Sequence, residues 1–115
     1  MMEENCIFCK IIRGEIPSQK VYEDEWVYAF RDINPAAPTH ILIVPKEHLA
    51  SANALEEKHE ALVGHILVCA RKIAEEQGFA EYGYRIVNNC GENAGQTVFH
   101  LHFHVLSGAK FDRMV

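Results

Sequence analysis

The spacing of apolar residues along the chain predicts two helices of different length. Apolar positions at helical spacing over residues 6 to about 13 indicate a short first helix, which Gly14 and Pro17 end. Over about 55–77 a second apolar stripe lies opposite a charged face, and Gly78 follows it. This second segment is predicted to be a long amphipathic helix.

Five shorter segments have the character of strands. They are rich in β-branched, aromatic and aliphatic residues, and they are separated by turn-forming Gly, Pro, Asn and Asp. The predicted strands span residues 21–23, 27–31, 41–44, 84–88 and 98–106. The order of one helix, three strands, a long helix and two strands predicts an α+β fold with a mostly antiparallel sheet.

The last predicted strand carries an unusual run of histidines. His100, His102 and His104 alternate with apolar residues. Successive strand side chains point to opposite faces, so the three imidazoles are expected in a row on one face, about 7 Å apart. A polar, solvated sheet face would not require histidine at every position. The row therefore favours imidazole chemistry, which is metal ligation, general acid–base catalysis or attack by a ring nitrogen on an electrophile.

Length and charge narrow the function classes. The chain has 115 residues, which fits one domain, and it contains no internal repeat. We expect a single domain over 1–115, with a core of about 6–108 and a short tail at 109–115. Eleven Lys and Arg residues against 16 Asp and Glu give a formal charge of −5. This acidic balance argues against a nucleic-acid polymer as partner, because such binders need a concentrated basic surface.

The termini and the cysteines indicate a cellular setting. The acidic start of the chain lacks the basic and apolar regions of a signal peptide, and no apolar run reaches membrane-spanning length. We therefore expect a cytoplasmic protein with no membrane partner. In a reducing compartment the cysteines are expected to be thiols or metal ligands and not disulfides. The four are Cys6, Cys9, Cys69 and Cys90.

The histidine run has the form His-φ-His-φ-His-φ-φ over residues 100–106, where φ is apolar. This motif resembles the signature of the histidine triad (HIT) superfamily, and within it the Hint-like branch of nucleotide-binding phosphoramidases and their bacterial relatives. Further segments resemble the family in order and spacing. They are 7–12, 30–33, 37–40, 44–48 and 95–97.

The resemblance implies a fold and an activity. The fold would be HIT-like, with about five antiparallel strands, a short N-terminal helix and a long central helix, and it would form homodimers whose sheets join. The activity would be cleavage at the α-phosphorus of purine nucleoside phosphoramidates, or related AMP and GMP conjugates, through a covalent nucleotidyl-histidine on His102. A dinucleoside polyphosphate hydrolase remains open, as does a nucleotide-binding interaction protein with incidental hydrolysis.

The same resemblance implies the other site residues. His104 and the Gly95–Gln96–Thr97 turn would supply donors for the charge that develops on phosphate oxygens. The catalytic set would be His102, His104, His100, Thr97 and His40. The nucleotide contacts would be Phe8, Ile11, Phe30 and Ile33 around the base, Asp32 on the ribose, and Asn89, Gly95, Gln96, Thr97, His102 and His104 near the phosphate. Many relatives have histidine where this chain has Arg31.

The two N-terminal cysteines lie three residues apart. On the predicted helix Cys6 and Cys9 share one face, and by itself the Cys-x-x-Cys pattern is compatible with zinc, with redox chemistry or with neither. Several bacterial HIT proteins and the related galactose-1-phosphate uridylyltransferases add a histidine after the third strand and the first triad histidine. Here these are His48 and His100, so the resemblance implies a structural zinc, and it implies no organic cofactor.

The remaining histidines and cysteines receive simpler interpretations. His59 and His65 are expected on the solvated surface of the long helix. Cys69 is expected to be buried in its packed face, and Cys90 is expected to be a loop thiol without an assigned role.

Overall fold

One antiparallel sheet of five strands organises the chain, of which the structure, a computed structural model, describes residues 3–114. The ends of the predicted domain, 1–2 and 115, lie outside the described residues. The strand order is β1-β2-β3-β5-β4. The elements are α1 (Ile7–Ile12), β1 (Lys20–Glu23), β2 (Val27–Arg31), β3 (Thr39–Pro45), α2 (Glu60–Gln77), β4 (Tyr84–Val87) and β5 (Phe103–Ser107). This architecture confirms the predicted α+β fold.

The two faces of the sheet carry two separate cores, because side chains alternate along each strand. Helix α2 covers one face, where its residues Ile66, Ala70 and Ile73 pack against strand residues such as Ile43 and Val105. Helix α1 lies on the other face. The core there consists of Phe8, Ile11, Tyr28, Phe30, Leu42 and Val44. In the described part of the chain, none of the helices has both the length and the apolar character needed to span a membrane.

Helix α2 begins five residues later than its apolar pattern predicts. His59, at the residue before the helix, accepts a hydrogen bond at Nδ1 from the Glu56 backbone N–H (2.9 Å), and its side chain is buried. This hydrogen bond closes a 3₁₀ turn at Glu57–His59, and α2 starts directly after that turn. The expectation of a solvated His59 is therefore wrong. At the other end Gly78 adopts φ 85°, which ends the helix as predicted.

Strand β5 also begins five residues later than predicted, at Phe103. The register pairs Ile43 with Phe103, so continuing the ladder would place Pro45 opposite Leu101. Proline has no N–H to donate, and the Leu101 N–H instead bonds the Leu49 carbonyl (2.6 Å). His100 and His102 consequently lie in the segment that leads into the strand, and only His104 lies within it.

Candidate active site

His102 lies in the segment before β5 with one ring nitrogen already engaged. Its Nδ1 is 2.7 Å from the backbone carbonyl oxygen of His100, which can only accept, so Nδ1 carries the proton. The lone pair is therefore on Nε2. Phe8 packs edge-on against the ring with centroids 5.1 Å apart. Only 6% of the residue is exposed. The surroundings fix both the tautomer and the orientation of this imidazole.

A chain of hydrogen bonds fixes the tautomer of His104 in the same way. The backbone N–H of Ala36 donates to Nδ1 of His40 (2.9 Å), so the neutral His40 ring carries its proton on Nε2. That Nε2 is 2.8 Å from Nδ1 of His104, which must accept. His104 is then protonated on Nε2. Its ring centroid lies 5.0 Å from that of His102, so the ring that carries this N–H donor is next to the ring that carries the lone pair.

Burial keeps this pair of histidines neutral. Desolvation, together with the neighbouring His102 and His40, lowers the pKa of His104 to about 4. Desolvation also lowers the pKa of His40, against the opposing effect of the Asp32 carboxylate. Near neutral pH both rings are therefore uncharged, which is the state that the hydrogen-bond chain requires.

The depressed pKa of His104 predicts stability that declines in mild acid. The unfolded chain takes up this proton near pH 6.5 and the folded chain only near 4, so the contribution is complete above 6.5 and is lost as pH falls. Between pH 6.5 and 5 the loss should be about 1.5 kcal/mol. Urea unfolding of wild type and His104→Gln at both pH values measures it. An identical pH dependence in the two proteins would contradict the prediction.

His100 does not join the other two in a single row. Its Nε2–H donates to the Pro45 carbonyl (2.8 Å), which leaves a lone pair on Nδ1. That Nδ1 faces Cys6 Sγ at 3.3 Å, Cys9 Sγ at 3.6 Å and His48 Nδ1 at 3.2 Å. The predicted row of three equivalent imidazoles is thus divided. His100 contributes its backbone carbonyl to His102 and its ring to a cluster of thiols.

The Cys6, Cys9, His48 and His100 side chains have the geometry of a tetrahedral zinc site. Bonds of about 2.3 Å to sulfur and 2.0 Å to nitrogen give tetrahedral edges of about 3.3 Å between nitrogens and about 3.5 Å between sulfur and nitrogen. The two nitrogens are 3.2 Å apart, and the sulfur–nitrogen distances are 3.3, 3.5 and 3.6 Å. All four ligand atoms lie within 4.8 Å of one another. The residues therefore fit the metal.

Two backbone N–H groups donate to the sulfurs of Cys6 and Cys9, and such donors would stabilise thiolates if a cation were bound. The Glu3 N–H donates to Cys9 Sγ (3.2 Å), and the Cys9 N–H donates to Cys6 Sγ at the start of α1 (3.4 Å). Burial nevertheless raises the pKa of Cys9, so without a cation the thiol form is favoured. The bond from His100 to the Pro45 carbonyl is the outer hydrogen bond that commonly orients a metal-bound imidazole.

The turn before the histidines is held by Gln96. Its Oε1 accepts from the Gly91 N–H (2.8 Å), and its Nε2 donates to the carbonyls of Ala50 (2.8 Å) and Val98 (3.1 Å). The structure leaves no side-chain N–H of Gln96 free for a phosphate oxygen. We therefore correct its predicted role as a side-chain donor, because this residue shapes the turn.

The neighbouring residues of the turn remain available. Gly95 and Thr97 are exposed, and Gly95 has φ 93°, in the left-handed region that favours glycine. Asn89 is half-buried after β4. Sequence reasoning missed Asn88, whose side-chain amide donates to the backbone carbonyl of His102 (2.8 Å). Nothing in the local sequence indicates that contact, since it joins the residue after β4 to the residue before β5.

The predicted base-binding residues are divided between core and surface. Phe8, Ile11 and Phe30 are buried in the α1-side core, whereas Ile33 is 87% exposed and lies outside it. A surface cavity of about 440 Å³ lies beside Ile33. It is lined by Pro17, Ser18, Gln19, Arg31, Asp32 and Ile33. The segment 17–19 is therefore a wall that the sequence did not predict.

Two charged residues beside this cavity have defined partners. Asp32 Oδ1 accepts from the Asn34 N–H (2.8 Å), and Oδ2 is 3.5 Å from His40 Nε2. The Asp32 carboxylate therefore links the cavity to the histidine chain. Arg31 donates to Gln77 Oε1 of α2 (2.7 Å).

Comparison with known proteins identifies the family. The HIT domain model matches residues 13–111. The purine nucleoside phosphoramidase of Escherichia coli (strain K12) is 48% identical over 114 residues, which cover 99% of this chain and 96% of that protein. The solved structure of a histidine triad protein from Clostridium difficile is 52% identical, with a TM-score of 0.96 and 100% coverage of both chains. A HIT family hydrolase from Clostridium thermocellum is 52% identical with a TM-score of 0.96, covering 99% of each chain. With its histidine motif, its sheet and these relatives, the chain belongs to the HIT domain family.

Proposed function

We propose that this protein is a nucleotide hydrolase that cleaves purine nucleoside phosphoramidates, or related AMP and GMP conjugates, at the α-phosphorus. The observation that carries the proposal is the lone pair on His102 Nε2 beside an N–H on His104. A nucleophile and an oxyanion donor side by side are the two groups that displacement at phosphorus needs. The name of the Escherichia coli relative supports the substrate class.

In the first step His102 Nε2 attacks the α-phosphorus. A bond forms from Nε2 to phosphorus as the bond from phosphorus to the leaving amine breaks, and the amine takes up a proton. The ring becomes positively charged, and the His100 carbonyl that accepts from Nδ1 stabilises this charge. Water then displaces the imidazole from phosphorus, which releases the nucleoside monophosphate and restores neutral His102.

The neighbouring groups serve the phosphate and the leaving group. His104, neutral and protonated on Nε2, donates to a non-bridging oxygen without having to lose a charge. The exposed backbone at Gly95 and Thr97 offers further donors. The Thr97 hydroxyl assists the departure of the leaving group. His40 acts on His104, because its Nε2–H fixes which nitrogen of His104 accepts.

The nucleoside is assigned to the cavity beside Asp32. The Oδ2 atom of Asp32, which the Asn34 turn does not use, can accept from both ribose hydroxyls. Ile33, with most of its surface exposed, supplies an apolar wall for the base. An apolar wall does not read the edges of a purine, so we expect modest discrimination between adenine and guanine.

We also propose that Cys6, Cys9, His48 and His100 hold a structural zinc ion, supported by the tetrahedral spacing of their ligand atoms. When bound, zinc supplies cross-linking and no reaction chemistry, since four protein ligands leave no open position. The His100 backbone carbonyl accepts the hydrogen bond from Nδ1–H of His102. The four ligands therefore position His102 indirectly by fixing the segment that leads into β5.

A substrate panel tests the function. We expect wild-type protein to hydrolyse adenosine 5′-phosphoramidate with a kcat/KM at least about tenfold above that for diadenosine polyphosphates, because a single histidine nucleophile and one nucleoside cavity suit a small leaving group. The reverse preference would indicate a dinucleoside polyphosphate hydrolase. Binding of AMP without turnover of either substrate would indicate a nucleotide-binding interaction protein.

We further propose a cytoplasmic homodimer. Strand β4 lies at an edge of the sheet, so it has free positions for pairing with a second copy. All four cysteines are free thiols, which fits a reducing compartment. A solution mass of two chains by light scattering would support the dimer, and a mass of one chain would contradict it.

A further inference from the structure

A second cluster of metal-ligating side chains lies on the α2 side of the sheet, away from the triad. His65 Nε2 is 2.6 Å from Asp24 Oδ2 and 3.5 Å from Cys69 Sγ. The Tyr22 hydroxyl donates to the same Asp24 oxygen (2.7 Å). Cys69 is buried as predicted, and His65 lies half-exposed on the surface of α2 with its ring turned toward Asp24.

The fold brings the side chains of Asp24, His65 and Cys69 together. His65 and Cys69 are four residues apart on α2 and therefore share a face. The turn between β1 and β2 brings Asp24 to that face. Asp24 Oδ1 accepts from the backbone N–H groups of Trp26 (2.8 Å) and Val27 (2.9 Å), which fixes the carboxylate and leaves Oδ2 directed at the ring.

We propose that Asp24, His65 and Cys69 form a second metal site, which takes a divalent ion of the zinc class. One carboxylate oxygen, one imidazole nitrogen and one sulfur lie within 4.8 Å of one another. A carboxylate and a thiolate together balance a double positive charge, and sulfur with imidazole is a donor set that zinc prefers. The sulfur–nitrogen distance of 3.5 Å already matches the tetrahedral edge of about 3.5 Å.

The fourth position has room for water. A surface cavity of about 240 Å³ opens on the cluster and is lined by Asp24, Glu25, Trp26 and His65. Side-chain exposures of 30% for His65 and 24% for Asp24 give an ion a path from solvent. The site is therefore three protein ligands with one open position, unlike the closed set of four at Cys6, Cys9, His48 and His100.

Binding requires one proton to leave the cluster. In the metal-free protein the His65 Nε2–H donates to Asp24 at 2.6 Å. The ion takes the place of that hydrogen, the ring proton moves from Nε2 to Nδ1 so that the imidazole stays neutral, and the oxygen–nitrogen distance opens to about 3.3 Å. Cys69 loses its thiol proton to solvent, so one proton is released for each ion bound. The bound ion then cross-links the β1–β2 turn to α2.

Cobalt titration of cysteine variants tests the site, because a cobalt–thiolate bond gives a charge-transfer absorption band. In the Cys6→Ser/Cys9→Ser background only Cys69 and Cys90 remain. We expect the band to persist when Cys90→Ala is added and to disappear when Cys69→Ala is added. Adding His65→Gln to the double variant should weaken cobalt binding at least about tenfold. The absence of a band in the Cys90→Ala triple variant, or its persistence in the Cys69→Ala triple variant, would overturn the proposal.

Zinc content of the intact chain gives an independent readout that does not depend on the four-ligand site. Relative to wild type dialysed against zinc, Cys69→Ala should lose about one ion per chain whether or not Cys6 and Cys9 bind a metal. Hydrolysis should be unchanged, because α2 lies on the sheet face opposite His102. Unchanged zinc content in Cys69→Ala would show that Asp24, His65 and Cys69 form only a hydrogen-bonded contact between the turn and the helix.

Discussion

Replacing His102 with alanine is expected to lower kcat for adenosine 5′-phosphoramidate by about 10⁴-fold or more, because no other described group presents a lone pair at that position. The His104 Nε2–H is a donor, and Nδ1 of His100 faces the thiols. Neither ring can replace the nucleophile without changing its tautomer. Binding of AMP should weaken far less than kcat, since the phosphate donors and the Asp32 cavity remain.

Two measurements separate loss of the nucleophile from loss of the fold. Single-turnover reactions followed by intact-mass analysis should detect a nucleotidyl adduct on wild type and none on His102→Ala. In His102→Gly the vacated space should let free imidazole restore part of the turnover, whereas an unfolded variant would not respond. If His102→Ala kept more than about a tenth of the wild-type kcat, another group would be the nucleophile.

Removing the two N-terminal thiols should cause the largest loss of stability. For free zinc about 1,000-fold above its dissociation constant, binding contributes about 4 kcal/mol to folding. Cys6→Ser/Cys9→Ser should therefore lower the melting temperature by about 15 °C for a domain of this size, as measured by calorimetry in zinc-containing buffer. A zinc ion held by these four residues would join α1 to His48 after β3 and to His100 before β5, so the variant would lose a common anchor of three distant segments.

Cys90→Ser is the matched control, because Cys90 lies in the turn after β4 outside both ligand clusters. It should leave the melting temperature and the response to zinc unchanged. A chelator should lower the melting temperature of wild type toward that of the double variant and have little effect on the double variant itself. Equal melting temperatures for wild type and Cys6→Ser/Cys9→Ser in zinc would contradict a structural zinc at these four residues.

Local patterns predicted the elements because periodicity reports which side of an element is buried. The stripe on α2 and the glycine after it gave the helix and its end, and alternation placed Phe103 and Val105 on the face opposite His104. The starts of α2 and β5 were each missed by five residues. In both cases a distant or irregular contact decided the boundary, namely the ring of His59 on the Glu56 backbone and the proline in β3.

The histidine motif and its resemblance to the family indicated which residues matter, but the tertiary structure gave each a different task. Three imidazoles that look equivalent in sequence differ in what the second ring nitrogen meets. These partners are the His100 carbonyl for His102, the His40 ring for His104 and the Pro45 carbonyl for His100. The position of each partner depends on how the chain folds around the histidines, which the pattern of side chains along the sequence does not show.

The sequence by itself thus determined the order of helices and strands, the two-faced sheet and the residue types available for chemistry, because these depend on spacing along the chain. Only the tertiary structure decided the protonated nitrogen of each imidazole, the commitment of Gln96 to its turn, and the meeting of Asp24 with His65 and Cys69. Most of these features depend on contacts between residues tens of positions apart, such as His40 with His104, Ala50 with Gln96 and Asp24 with His65. Such contacts follow from how the sheet and its helices pack together, and not from the spacing of residues within any one element.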